Sequence, residues 1–252
     1  MRRPGWLAPA TLGIVFIAIW FFAAQTGSVP SFLLPHPVSV VDRLVGGLQE
    51  GYLLASLLQT LKEAIIGCLI AAAIGVPLGC AIALISIMSS AIEPYLAASQ
   101  AIPAVAIAPL LVTWVGYGTA PIVILCAVMV IFPVIIGTAV GIRSIDPEII
   151  SAARLDGAGS WTLLRRIELP LAGPNIMAGL RTGFTLAITG AVVGEMVVGG
   201  QRGLGIELVT SQHLNDTAGL FATILLLAFV AVAIYLISKA LEDRVVRAVA
   251  AN

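Results

Sequence analysis

Residue types that could do chemistry are scarce in this chain. Three cysteines, Cys68, Cys80 and Cys126, and two histidines, His36 and His213, make up the whole thiol and imidazole inventory. The cysteines lie inside apolar runs, without CxxC spacing and without a histidine nearby. Their expected role is packing, not zinc binding or disulfide formation. No G-x-S-x-G stretch offers a nucleophile elbow, and no G-x-x-x-x-G-K-[ST] loop offers a phosphate cradle. A membrane enzyme would need a nucleophile and a base near the bilayer, and both histidines fall in expected outer loops.

Two features remain. Arg181 and Glu195 share one apolar run, 14 residues apart. On a helix that spacing is about 320° of rotation and about 21 Å of rise. They share a face but cannot pair with each other. Arg181 sits near the inner border and can snorkel. Glu195, near the outer end, either lines the mouth of a pathway or reaches the interface. The second feature is the densest run of charge, SAARLDGAGSWTLLRRIELP at 151–170.

The elements that position these residues are apolar. The 252-residue chain is 60% hydrophobic and 10% charged, with mean hydropathy +1.08. Soluble proteins average about 45–50% apolar and about 25% charged residues, so this is an integral membrane protein. Thirteen basic residues balance thirteen acidic ones, which gives no basic field for nucleic acid. Charge-free tracts cover 4–41, 64–92, 94–142, 182–194 and 217–238. A spanning helix needs about 20 apolar residues. The tracts predict spans at 6–24, 57–87, 98–114, 120–141, 175–198 and 218–238. VGYGTAP at 115–121 supplies the turn that divides the third span from the fourth.

The Lys/Arg distribution orients the spans. With the N-terminus inside, the inner side holds Arg2, Arg3, Arg143, Arg154, Arg165, Arg166, Arg181, Lys239, Arg244 and Arg247. The outer side holds Arg43, Lys62 and Arg202. This is a positive-inside bias with both termini cytoplasmic. The inner loop SIMSSAIEPY at 86–95 carries no Lys or Arg. The first apolar run is longer than a usual signal-peptide core and is expected to stay as an anchor.

The stretch at 151–170 then faces the cytoplasm. Asp146-Pro147-Glu148 is a helix start: an Asp N-cap, Pro at the first position and an acid in the first turn. Gly157 and Gly159 break that helix, Ser160 caps a second, and Pro170 stops it. The result is two short helices with a glycine bend. Small residues at Ala152, Ala153 and Gly157 leave a flat face for close approach. Such a loop is either a docking knob or an amphipathic hairpin on the membrane surface, its arginines facing lipid phosphates.

The stretch resembles the cytoplasmic motif of ABC importer permeases: E-A-A, three residues, G, nine residues, I-x-L-P. Here the matching residues are Ser151-Ala152-Ala153, Gly157, and Ile167-Glu168-Leu169-Pro170, with Ser151 where the pattern has Glu. Further segments resemble the nitrate/sulfonate/taurine-type branch: Leu33-Leu34-Pro35, Ile102-Pro103 with Ala108-Pro109-Leu110, Ala178-Gly179-Leu180-Arg181, Gly194-Glu195-Met196 and Gly203-Leu204-Gly205.

The resemblance implies an all-α membrane protein, a single permease domain over 1–252. It has six transmembrane helices and a cytoplasmic two-helix coupling loop, 143–173, between spans 4 and 5. It implies residence in a bacterial inner membrane among lipid. The expected partners are two cytoplasmic ABC ATPase subunits, a second permease copy forming a homodimer, and an extracytoplasmic substrate-binding protein. ATP and Mg would be bound by the ATPase, with no cofactor in this chain. The ATPase-coupling residues would be Ser151, Ala152, Ala153, Asp156, Gly157, Ile167, Leu169 and Pro170. The pathway or its outer mouth would draw on Glu195, Thr185, Thr189 and Gln100. The expected solute is small and organic or anionic: sulfonate-, taurine- or nitrate-like, or a vitamin precursor. The alternative is a stand-alone secondary transporter or channel, a class that often shows internal repeats; none is visible in this sequence.

Overall fold

The computed structural model describes residues 7–27, 29–99 and 102–250. The regular elements among them are helices: α1 (Leu7–Gln25), α2 (Pro37–Gln49), α3 (Tyr52–Leu84), α4 (Ser86–Ser99), α5 (Ala104–Val115), α6 (Thr119–Arg143), α7 (Pro147–Leu155), α8 (Ser160–Leu163), α9 (Leu169–Val198), α10 (Leu204–His213) and α11 (Thr217–Ala250). A π-helical turn, Leu164–Glu168, joins α8 to α9. Among the described residues four helices are long and apolar enough to cross a membrane: Tyr52–Leu84, Thr119–Arg143, the run Ser160–Val198, and Thr217–Arg247. Thr11–Gln25 and Val105–Val115 are shorter apolar helices.

The core is the contact of α3, α6 and α9. Ala64, Cys68 and Ala71 of α3 meet Cys126 and Val130 of α6 and Ala187 and Ala191 of α9, all buried. Small side chains let these backbones approach, and burial of this kind is how membrane helices associate without a hydrophobic drive between them. Gly67, Gly75 and Gly79 of α3 also face α6 at this contact. A side chain at Gly79 would run into Thr138 of α6 at 2.6 Å. The three cysteines are free and buried, and the Cys126 thiol donates to the Ala187 carbonyl at 3.3 Å.

Several expectations need correction. The third span is not one helix over 98–114: α4 ends at Ser99 and α5 starts at Ala104 behind Pro103. Proline lacks an N–H and pushes the residue before it out of the helical region, so the run breaks there. The 12-residue α5 is about 18 Å long. The expected inner loop at 86–95 is helical, as α4. The expected outer loops contain α2 and α10. Pro170 does not stop a helix, since α9 continues through it. The wider π turn before it, closed by Leu169 N–H donating to the Leu164 carbonyl, absorbs the missing donor.

Candidate functional site

Three regions carry the polar chemistry. The first is a cavity of about 610 Å³ bordered by α5, α6 and α9. Its wall is mostly apolar, with Met129, Phe132 and Ile136 of α6 and Leu186 of α9. The polar lining is Asn175, Arg181 and Thr182. Arg181 Nη1 lies 3.2 Å from a Glu242 carboxylate oxygen of α11, an ion pair without hydrogen-bond alignment. Its guanidinium also sits 5.5 Å from the Tyr235 ring centroid. The Thr182 hydroxyl donates to the Ala178 carbonyl at 3.1 Å. Thr185 and Thr189 are exposed on the same stripe of α9, and each donates to the carbonyl four residues back. Neither lines this cavity. Gln100 lies outside the described residues.

The second region is at the opposite end of the bundle. Glu195, 1% exposed, is turned onto α10. Its Oε1 accepts from the Thr60 hydroxyl at 2.6 Å, and its Oε2 accepts from the Gly205 N–H at 2.6 Å. Thr60 Oγ1 in turn accepts from the Leu204 N–H at 2.9 Å. Leu204 and Gly205 are the first residues of α10, whose N-cap, Gly203, has no side chain. Glu195 and Thr60 therefore satisfy donors that a helix N-terminus leaves open, and the carboxylate meets the positive end of the dipole. Glu195 lines neither cavity.

Beside this pair sits Glu63 of α3, 2% exposed. Its Oε1 accepts from Gln59 Nε2 at 2.7 Å. Its Oε2 has no hydrogen-bond partner among the described residues, and its carboxyl lies against that of Glu195. Glu63 borders a second cavity of about 530 Å³ between the turns at 117–119 and 199–202. The same end is pinned twice more. Ser56 donates to Glu207 Oε1 at 2.8 Å, and Arg43 pairs with Asp216 at 2.6 Å, joining α2 to the start of α11. The Asp216 carboxylate holds the Arg43 guanidinium protonated even more firmly than usual.

The third region is the turned loop. Asp146 caps α7, accepting from the Glu148 N–H at 2.9 Å as expected. α7 ends with Ala158 N–H donating to the Ala153 carbonyl and Gly157 N–H to the Arg154 carbonyl, a Schellman end. It needs a left-handed residue, and Gly157 has φ +85°. Ser160 is the first residue of α8, and the N-cap is Gly159, without a side-chain bond. The Ser151 hydroxyl donates to the Pro147 carbonyl at 2.8 Å. Ala152 and Asp156 are exposed and Ala153 half-buried. Ile167 is half-buried in the π turn, while Leu169 packs against the Cys80–Ile142–Ala172 cluster at the foot of the bundle. Leu155 and Trp161 stand 89% and 71% exposed on either side of the bend.

Sequence reasoning singled out Glu195 but missed Thr60 and Glu63. Their signal was available: Gln59, Thr60 and Glu63 fall on one helical face at the edge of an apolar tract.

A helical bundle with an apolar cavity at one flank and a turned polar loop at one end is compatible with a transport subunit. Residues 75–250 match the family model described as binding-protein-dependent transport system inner membrane component. The chain belongs to this family: it is a multi-pass ABC importer permease, a subunit that hydrolyses no ATP itself. It is 40% identical to the riboflavin transport system permease protein RibX of Chloroflexus aurantiacus, over 98% of this chain and 92% of that one. It is 30% identical to the putative aliphatic sulfonates transport permease protein SsuC of Bacillus subtilis, over 91% and 83% of the two chains. It is also 30% identical to the formylaminopyrimidine transport permease protein ThiX of Halalkalibacterium halodurans, over 94% of each. In fold it is similar to a chain of the MetNI methionine ABC transporter in an inward-facing conformation. That match has TM-score 0.67 and 20% identity, over 79% of this chain and 97% of the other.

Proposed function

We propose that two copies of this chain form the translocation pathway of an ATP-driven importer for a neutral heterocyclic solute of vitamin-precursor type. Each copy crosses the membrane six times with both termini in the cytoplasm. The loop 143–173 projects into the cytoplasm and seats in a groove of an ABC ATPase, which binds the ATP and Mg. A binding protein delivers solute from the other side.

The observation that carries the coupling role is the turned loop. Leu155 and Trp161 flank a glycine bend and are left without cover in the isolated chain. Exposed large apolar side chains on a polar loop fit a protein partner. Ser151, Ala152, Ala153, Asp156 and Gly157 form the presented turn, and Ile167, Leu169 and Pro170 tie it to the bundle. The solute class is supported by the lack of an unpaired charge among the described residues of the 610 Å³ cavity, whose Arg181 is held by Glu242. It is also supported by the relatives named for riboflavin and formylaminopyrimidine. The second reading, a sulfonate, draws on the relative named for aliphatic sulfonates.

Co-expression with a cognate ATPase and binding protein tests this. A purified complex with two permeases and two ATPases, and ATP-dependent uptake of a neutral heterocycle into proteoliposomes, are expected. One permease per two ATPases overturns the paired pathway. Uptake of an alkanesulfonate alone overturns the solute class.

A further inference from the structure

We infer that Asn175 is the specificity-determining side chain of the 610 Å³ cavity, hydrogen-bonding the amide or imide edge of a planar neutral heterocycle. This deepens the proposed import function and rests on it. Among the described residues three polar side chains line the cavity, Asn175, Arg181 and Thr182. Two are already engaged: Arg181 with Glu242 and Tyr235, Thr182 with its own helix. The Asn175 amide makes no hydrogen bond among the described residues.

A carboxamide presents one acceptor and two donors side by side. Its natural complement is a group with a donor and an acceptor at the same spacing, an amide or imide edge. A sulfonate or nitrate, which only accepts, would leave the amide acceptor unmet and find no free cation among the described lining residues. The position of Asn175 is fixed by close packing. Its Cβ abuts Gly141, and its carbonyl abuts Gly137, so larger residues at either glycine would push α9 away. Phe132, Met129 and Ile136 supply the apolar wall against which a flat ring can lie. Ligand sites of this kind, apolar with a few placed polar groups, reject analogues that leave a buried polar group unpaired.

The test uses the permease–ATPase complex in nanodiscs, with lumiflavin and 3-methyllumiflavin as fluorescent probes. The methyl group removes the imide N–H and leaves the ring system in place. Unmodified complex should bind lumiflavin about tenfold more tightly than its methyl analogue, the size of one good hydrogen bond. Asn175→Leu should bring both probes to the weaker value and erase the difference. Asn175→Gln, which keeps the amide on a longer stem, should retain part of it. The comparison of two probes on the unmodified complex needs no variant, so a misfolded Asn175→Leu does not blunt it. If unmodified complex binds neither probe saturably, or binds both equally, the inference is overturned. Discrimination that survives in Asn175→Leu overturns it too. If the ATPase does not assemble with the permease at all, it is the importer reading that fails, and the two failures are told apart.

Discussion

The Thr60 hydroxyl and the Glu195 carboxylate are 2.6 Å apart, and together they hold the first two backbone N–H groups of α10. An acid in a membrane helix suggests a pathway residue by default. Here it closes a helix end supplied by a different segment. Glu195→Ala leaves the Gly205 N–H unpartnered in a buried site and the Thr60 hydroxyl with only the Ser56 carbonyl, 3.1 Å away, to donate to. A loss of about 2–4 kcal/mol is expected from stranded partners and a new void. It should appear as a lowered thermal midpoint of the purified protein and as new proteolytic cleavage within 199–213. Glu195→Gln keeps an acceptor oxygen and should retain part of the stability. A variant with impaired uptake but unaltered stability and protease resistance would instead return Glu195 to the pathway.

Gly203 should be equally intolerant. A Cβ built there collides with the Glu195 carboxyl group, and the residue sits at φ +155°. Gly203→Val is expected to cost about 1–3 kcal/mol through overpacking. Combined with Glu195→Ala, the loss should be smaller than the sum of the two, because the clash disappears with the side chain. Strictly additive losses in thermal unfolding would show that the two residues do not interact.

The helical class, the two short helices after Asp146 and the glycine bend between them were legible because they rest on local signals: apolar run length, an Asp-Pro start, a glycine at a helix end. The break before α5 was less so. A 94–142 tract without charge gives no boundary, and a proline such as Pro103 is tolerated inside many membrane helices. α2 and α10 were hidden because their surroundings look like loop: Pro35-His36 ahead of one, Gly199-Gly200 ahead of the other. Glu195 was visible as an isolated charge, but its partners lie 135 and 10 residues away and no periodicity connects them. The Arg181–Glu242 pair was hidden for the same reason, since Glu242 belongs to a helix whose terminal half reads as a charged tail.

That pair gives a third prediction. Arg181 and Glu242 are about three-quarters or more buried, at 26% and 20% side-chain exposure. Partial solvation limits an ion pair, and about 1 kcal/mol of coupling is expected from a double-alanine cycle. Arg181→Ala also removes the contact over Tyr235, so it should be worse than Glu242→Ala. Arg181→Lys should rescue poorly, because an ammonium does not stack on the ring as a guanidinium does. Zero coupling in thermal unfolding would mean that α11 is held to α9 by packing alone.

Membrane orientation is a fourth. Activity reporters placed after Asn252 and inserted near Ser160 are expected to report cytoplasm, and one near Gln201 the outside. The motive is the Lys/Arg split, ten residues on one side against three on the other. α7 and α8 lie at the end where Arg143 reaches Ile82, and α10 lies at the other end of α9. Signals from Ser160 and Gln201 on the same side would contradict this arrangement. An external signal from Ser160 would remove the ATPase from reach of the loop.

The last prediction concerns Gly157. A Cβ at this position would meet nothing within 4 Å in the chain itself, yet φ is +85°. Any side chain is therefore costly here through backbone conformation, by about 1–2 kcal/mol, and not through contacts inside the subunit. In the proposed complex a partner surface would add a second penalty, because a leucine would intrude between the flat turn and the ATPase. Gly157→Leu should therefore leave membrane insertion and protein level near normal. ATPase co-purification and uptake should fall by roughly five- to 150-fold, the equivalent of about 1–3 kcal/mol. Two comparisons separate the terms. Gly157→Asn tolerates the left-handed conformation better than leucine and should lose less. Ser160→Leu, at the start of α8 and outside the motif, should do less than Gly157→Leu. If Gly157→Leu transports at the unmodified rate with its ATPase still bound, the bend is not the coupling element. The loop would then be a surface-lying hairpin whose arginines meet lipid phosphates.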